Sequence, residues 1–216
     1  MKEERDRFQF ERSLLERGMR AIAGVDEAGR GPLAGPVVVA AVVLPVRWIH
    51  GGLPSELKGL NDSKRLTAIQ RERFFEFLKA AGEVRRAVVR IEAPEIDSLN
   101  ILRATHLGMS RCLEALGEPL EHVLVDGLAV ASLSWEQTAI VKGDSKSFSI
   151  AAASIMAKVS RDNVMEAYHR EYSDYGFHQN KGYPTRAHLK ALDQFGPCPI
   201  HRKSFGPVRQ RQLDLF

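Results

Sequence analysis

Residues 35–44, GPVVVAAVVL, form a nearly continuous run of β-branched and small apolar side chains. The run is too short to cross a bilayer, which takes ~20 residues. Its β-branched side chains favour a strand over a helix. A strand without polar alternation is covered on both faces. The chain must therefore build a sheet around this segment, with packed layers above and below.

The flanking sequence supplies the other elements. Residues 8–18 read as a short amphipathic helix through Phe8, Phe10, Leu14 and Leu15, and 21–27 (AIAGVDE) as a strand. Thr67 and Gln70 form a capping-box pattern that opens a helix to about Ala80. Residues 85–91 alternate as a strand, and Asn100 to Leu116 read as a helix closed by Gly117. Two short strands follow at 122–126 and 138–142, then a long Ala-rich helix from Ser149 to about Tyr172 and a last helix near 185–195. Strands adjacent in sequence predict an antiparallel meander, and strands separated by helices predict parallel additions.

The chain has 216 residues, 44% hydrophobic and 27% charged, as expected of one globular domain. Cys112 and Cys198 make no disulfide framework, and Cys112 sits in an apolar helical pattern as a buried small hydrophobe. The N-terminus, MKEERDRFQFER, lacks the apolar core of a signal peptide. No run is long enough for a membrane span, so the expected location is cytoplasmic. The net charge of +4 is unevenly spread. Between Lys158 and Arg211 stand ten Lys/Arg against five Asp/Glu, while the rest is nearly balanced. This region is either a basic face for a polyanion or a solvated helical surface.

Acids stand where strands end: Asp26 and Glu27 after AIAGV, Asp126 after VLV, and Asp144 just past AIVKG. Singly, each reads as turn chemistry. Together they point to one site, because strand ends of an α/β sheet gather at one edge. Clustered carboxylates repel unless cations sit among them, and an all-oxygen set suits Mg²⁺ or Mn²⁺. Neighbours in a regular strand face opposite ways, so Asp26 and Glu27 converge only where the strand ends or bulges.

Gly29-Arg30-Gly31-Pro32-Leu33-Ala34 matches a loose dinucleotide fingerprint, G-x-G-x-x-A. That fingerprint must open a helix. Here it runs into a strand and is interrupted by Pro32 and Pro36, which excludes a nucleotide cofactor. Two readings remain: a β-turn with a solvent-facing arginine, or an exposed backbone loop that approaches a sugar-phosphate.

At this point five blocks resemble the ribonuclease HII family, in its order: GVDEAGRGPLAGPVVVAAVVL (24–44), LNDSKRLT (60–67), VDG (125–127), KGDSKSFSIAAASIMAKVSRD (142–162), and GYPT followed by His188. The resemblance implies an α/β RNase H-like fold, a mixed five-stranded sheet flanked by helices, with a C-terminal helical part. The chain is thus read as a helical extension at 1–20, an RNase H-like catalytic domain with C-terminal helices at 21–200, and a mobile basic tail at 201–216. It implies an endonuclease that cuts RNA in RNA/DNA hybrids and at ribonucleotides embedded in DNA. Asp26, Glu27, Asp126 and Asp144 would hold two divalent ions, Mn²⁺ or Mg²⁺. Gly29, Arg30 and Gly31 would read the 2′-hydroxyl, and Tyr183 would stack on the neighbouring sugar. Ser63 and Lys64 would contact phosphate. Ser154 and Lys158, one helical turn apart, face either the nucleic acid or, for Ser154, the interior. His188 reads as a proton shuttle or a surface residue. Ribonuclease HIII, with its extra N-terminal domain, and a non-catalytic nucleic-acid-binding module are the rival readings; the short N-terminus and the intact acids disfavour them.

The chain ends Gln212-Leu213-Asp214-Leu215-Phe216, after a basic stretch without an apolar stripe. The pentapeptide resembles the motif that docks bacterial repair proteins on the β sliding clamp. Gln212, Leu213, Leu215 and Phe216 are its candidate contacts, with Leu215 and Phe216 as anchors. Otherwise the end folds back on the domain. The protein is expected to be a monomer.

Overall fold

The structure, a computed structural model, describes residues 6–117 and 119–213. Its five strands are β1 (Ile22–Ala28), β2 (Val37–Val43), β3 (Arg85–Ile91), β4 (His122–Asp126) and β5 (Gln137–Ile140). They form one sheet in the order β3-β2-β1-β4-β5. β1 pairs antiparallel with β2, and β2 with β3. β4 runs parallel to β1, and β5 parallel to β4. The meander followed by parallel additions is thus the arrangement the sequence predicts.

The helices are α1 (Gln9–Glu16), α2 (Val46–Gly51), α3 (Ala68–Ala80), α4 (Ala93–Leu99), α5 (Ile101–Leu116), α6 (Phe148–Glu171), α7 (Phe177–Asn180), α8 (Arg186–Phe195) and α9 (Gly206–Leu213). α6 lies on one face of β1 and β2, and α5 on the other face over β2 and β3. Strand side chains divide accordingly. Ile22, Ala40, Val42 and Leu124 pack with Ile150, Ala151 and Ile155 of α6. Ala23, Val25, Val39 and Val123 pack with Met109, Cys112 and Leu113 of α5. β2 is wholly buried, as its composition requires.

α6 comes very close to the sheet. A Cβ on Gly24 would lie 2.2 Å from the carbonyl carbon of Ser149, so only glycine lets the helix start there. The predicted capping box of Thr67 and Gln70 is present on α3. Cys112 is buried, and burial pushes its thiol up to about 12.

Four features differ from the sequence expectation. α2, α4 and α7 are additional short helices. Asn100, at φ 69°, separates α4 from α5 and caps α5 by accepting from the N–H groups of Leu102 and Arg103. α1 does not stand off as an extension: Phe8, Leu14 and Leu15 belong to the main core. The basic segment from 201 does not run free through the described residues. His201 and Arg202 are buried, and Val208 of α9 joins Leu33, Tyr175, Phe177 and Leu192 in a third apolar cluster. A single apolar anchor per helix leaves no stripe to read, which hid this packing. Among the described residues, no helix is long and apolar enough to cross a membrane.

Candidate active site

The carboxylates collect where β1 and β4 end. Asp26 points to the α6 face and is buried; the N–H of Glu27 donates to its Oδ1 at 2.7 Å. The parallel register sets Val25 beside Val125, which brings Asp126 alongside Asp26. Asp126 Oδ1 accepts from the N–H of Gly143 at 2.6 Å. That contact ties it to the 3-10 turn Gly143–Ser145, which carries buried Asp144. β1 holds its register on β2 through Ala28, with no bulge. Asp26 and Glu27 therefore leave opposite faces of a regular strand. The longer Glu27 side chain brings its carboxylate into the field of Asp126, Arg30 and Lys64.

Crowding and burial work against ionisation. Burial raises the Asp26 carboxyl well above its ordinary range, and the charges of Glu27 and Asp126 add to this. Burial likewise raises Glu27, while Arg30 Nη1, 3.3 Å away, opposes the shift. Asp144 is pushed up to about 6 by burial, then by the negative charges of Asp62 and Asp126. Asp62 is a fifth acid that the sequence reading passed over. It caps the turn Ser63–Arg65, accepting from the Lys64 N–H at 2.8 Å, and so looks like ordinary turn chemistry. Only the fold sets it against Asp144.

Beside Asp26 and Glu27 lies a cavity of about 330 Å³. Gly29, Arg30, Gly31, Ser63, Lys64, Ser154, Lys158 and Tyr183 all line it. These residues come from four separate stretches of chain. Arg30, Lys64 and Tyr183 are exposed, and Tyr183 keeps 45% of its surface open to solvent. Ser154 and Ser63 are both buried, with Ser154 Oγ donating to Ser63 Oγ at 3.1 Å. Lys158 pairs with Asp162 at 2.8 Å.

The Gly29–Gly31 loop is held from beneath. Gly29 has φ 100°, and a Cβ there would lie 2.0 Å from Arg161 Nε. Arg202 donates to the carbonyls of Gly29 (2.6 Å), Arg30 (3.0 Å) and Gly35 (3.0 Å). Arg161 donates to those of Pro36 (3.0 Å), Lys181 (3.0 Å) and Ala34 (3.2 Å). Both arginines are buried, and burial lowers both pKa values, that of Arg202 to about 9. Nothing in the local sequence marks these two arginines as interior residues, because arginine is seldom fully buried. His188 corrects the expectation directly. It is fully buried on α8, neither on the surface nor open to the cavity. Gln212 and Leu213 close α9; Leu215 and Phe216 lie outside the described residues.

A mixed five-stranded sheet with acids at the ends of its central strands, beside a cavity with exposed cations, defines an RNase H-like hydrolase. The comparisons with known proteins agree. The description Ribonuclease HII matches residues 23–208. A ribonuclease HII of Syntrophus aciditrophicus is 52% identical over 196 residues, covering 91% of this chain and 89% of that one. Ribonuclease H2 from Pyrococcus horikoshii superposes with a TM-score of 0.74 at 30% identity, covering 89% of this chain and 97% of the other. The ribonuclease HII of a PCNA:RNase HII complex from Archaeoglobus fulgidus gives a TM-score of 0.69 at 26% identity, covering 91% and 100%. The chain belongs to the ribonuclease HII family. It is a ribonuclease H enzyme.

Proposed function

We propose that this enzyme hydrolyses the RNA strand of RNA/DNA hybrids and cuts duplex DNA at embedded ribonucleotides, leaving 5′-phosphate and 3′-hydroxyl ends. One observation carries the reading. Acids from three strand ends act on one another electrostatically, and two of them, Asp26 and Glu27, line a cavity shared with a glycine-flanked arginine loop, a lysine turn and an exposed tyrosine.

Asp26, Glu27, Asp126 and Asp144 are the proposed holders of two divalent ions, Mg²⁺ or Mn²⁺. The donor set fits: all oxygens, with the carboxyls of Asp26, Glu27 and Asp144 raised toward the neutral form until a cation compensates them. Among the described residues no three His, Cys, Asp or Glu side chains form a ready-made cage. When bound, the ions supply an activated water and neutralise the leaving 3′ oxygen. The remaining chemistry belongs to the chain. The Gly29–Gly31 loop approaches the ribose and reads its 2′-hydroxyl, the group that separates RNA from DNA. Lys64 and Arg30 meet phosphate. Tyr183 stacks on the sugar at the RNA–DNA junction. Ser63 and Ser154 fix the turn that carries Lys64 against α6.

The Archaeoglobus relative was solved in complex with PCNA. We propose a corresponding contact here, through Gln212, Leu213, Leu215 and Phe216, with a β-type sliding clamp. Tethering would raise the enzyme's effective concentration at DNA. We infer that the protein acts where the DNA is, in the cytoplasm of a bacterium, as a monomer.

The test is cleavage of a labelled DNA duplex containing one ribonucleotide, with and without Mg²⁺ or Mn²⁺, and the cut mapped. Metal-dependent cleavage on the 5′ side of the ribonucleotide is expected. Metal-independent cutting, or none, would overturn the proposal.

A further inference from the structure

Behind Tyr183 lies a buried chain of polar groups that the hydrolysis does not use. The Tyr183 carbonyl stands 2.9 Å from His188 Nδ1. His188 Nε2 stands 3.0 Å from His201 Nε2. His201 Nδ1 meets the N–H of Cys198 at 3.0 Å and the Cys198 thiol at 3.1 Å. Both histidines are 1% exposed or less. Tyr175 and Phe177 meet the His188 ring edge-on, at 88° and 85°. Burial lowers both imidazole pKa values, that of His201 to about 4.

Only one pair of tautomers satisfies every strong contact. The Cys198 N–H is a donor, so His201 Nδ1 must be bare and accept from it. His201 then carries its proton on Nε2 and donates to His188 Nε2. His188 in turn carries its proton on Nδ1 and donates to the Tyr183 carbonyl, which can only accept. The opposite pair would let His201 Nδ1 donate to the Cys198 carbonyl at 3.3 Å. It would also set a bare His188 Nδ1 against the Tyr183 carbonyl and leave the Cys198 N–H without its acceptor, a cost that buried groups rarely bear.

We propose that His188 and His201 are positioning residues for substrate reading, forming a directed hydrogen-bond relay that holds the backbone of Tyr183 from behind. The inference rests on the reading of Tyr183 as the residue that stacks on the sugar. The sequence neighbour of His201 is Arg202, which grips the carbonyls of Gly29 and Arg30. A single dipeptide thus supports both halves of the reading apparatus, the loop and the tyrosine. Thr185 locks the relay to α8, its Oγ1 accepting from the His188 N–H at 3.2 Å.

The test has two arms. Long-range ¹H–¹⁵N NMR of the wild-type protein should find the proton on Nδ1 of His188 and on Nε2 of His201. The reverse assignment overturns the relay, and this measurement needs no variant. The second arm is steady-state cleavage of a single-ribonucleotide duplex by His188→Leu, His188→Asn and Tyr183→Ala, and by the double variant Tyr183→Ala/His188→Leu. His188→Leu should lower kcat/KM about five- to tenfold, the scale of one hydrogen bond, with its metal dependence unchanged. His188→Asn, whose amide can replace the Nδ1 donor, should recover most of the loss. The double variant should be no worse than Tyr183→Ala alone. Additive losses, or no recovery by Asn, would show that His188 serves only the core. If Tyr183→Ala cleaves normally, the sugar-stacking reading fails, whatever the tautomers prove to be.

Discussion

Asp144→Asn should stabilise the metal-free protein. Asp144 is 8% exposed, and its carboxyl is pushed up to about 6 by burial and by Asp62 and Asp126. An unfolded aspartate titrates near ~3.9. Ionising Asp144 in the fold therefore costs about two pKa units, or up to ~3 kcal/mol at 1.36 kcal/mol each. Partial access to water can lower this by up to about half, giving roughly 1.5–3 kcal/mol. Asparagine has the same shape, carries no charge, and can donate to Asp62. The sign follows from a folded pKa above the unfolded one. The protonated form's contribution is fully present below pH ~4 and is lost as pH rises through about 6. The gain in the variant should therefore be near zero at pH 4, open between pH 4 and 6, and stay constant above. In chelator at pH 7.5 it amounts to roughly 3–12 °C in Tm for a domain of this size. Urea unfolding of both proteins at pH 4.5 and 7.5 measures it. Saturating Mn²⁺ should close or reverse the gap, since the wild type gains more from the ion. A variant no more stable than wild type at pH 7.5, or a gap that ignores pH, would refute the argument.

The other perturbations probe separate parts of the molecule. Asp126→Asn should lower cleavage more than tenfold, that is by more than ~1.4 kcal/mol of barrier, without unfolding the protein; kinetics beside circular dichroism will check both. His201 has a folded pKa of about 4, below the unfolded value, so its contribution is present above pH ~6.5 and fades as pH falls toward 4. Replacing it with Gln should remove about 3 kcal/mol of acid sensitivity from the pH dependence of urea unfolding. Gly24→Ala should destabilise by at least ~2 kcal/mol in chemical denaturation, because its Cβ would meet the Ser149 backbone at 2.2 Å. Deleting residues 212–216 should leave cleavage of short duplexes unchanged and abolish clamp binding, expected near micromolar Kd; a loss of several kcal/mol of stability would mean that the segment packs instead.

What could be read in advance was periodic or chemically loud. β2 and α6 were legible because long apolar runs have few alternatives, and the α3 capping box because its spacing has one meaning. The acids at the ends of β1 and β4 were legible because a carboxylate ending an apolar run is costly without a partner. Asp62 was not, since its own turn already explains it. α4 escaped because Pro94, Glu95 and Asp97 give a short, polar helix with little periodicity. The burial of Arg161, Arg202, His188 and His201 was beyond reach for another reason. Each is polar by composition and becomes an interior residue only when distant carbonyls and imidazoles converge on it.

The floor beneath the Gly29–Gly31 loop has a consequence for behaviour in salt. Among the described residues, Arg161 and Arg202 form no ion pair, and their guanidinium groups are held by six carbonyls. Counterions gather around solvent-exposed lysines and mute them over about 8 Å at physiological ionic strength. They cannot reach these two cations, which are screened far less. Rising salt should first weaken the long-range capture of the duplex by Lys64 and its exposed neighbours. If a sugar-phosphate approaches the loop as proposed, the short-range pull on it should persist, so that brine slows the arrival of substrate more than it loosens its grip.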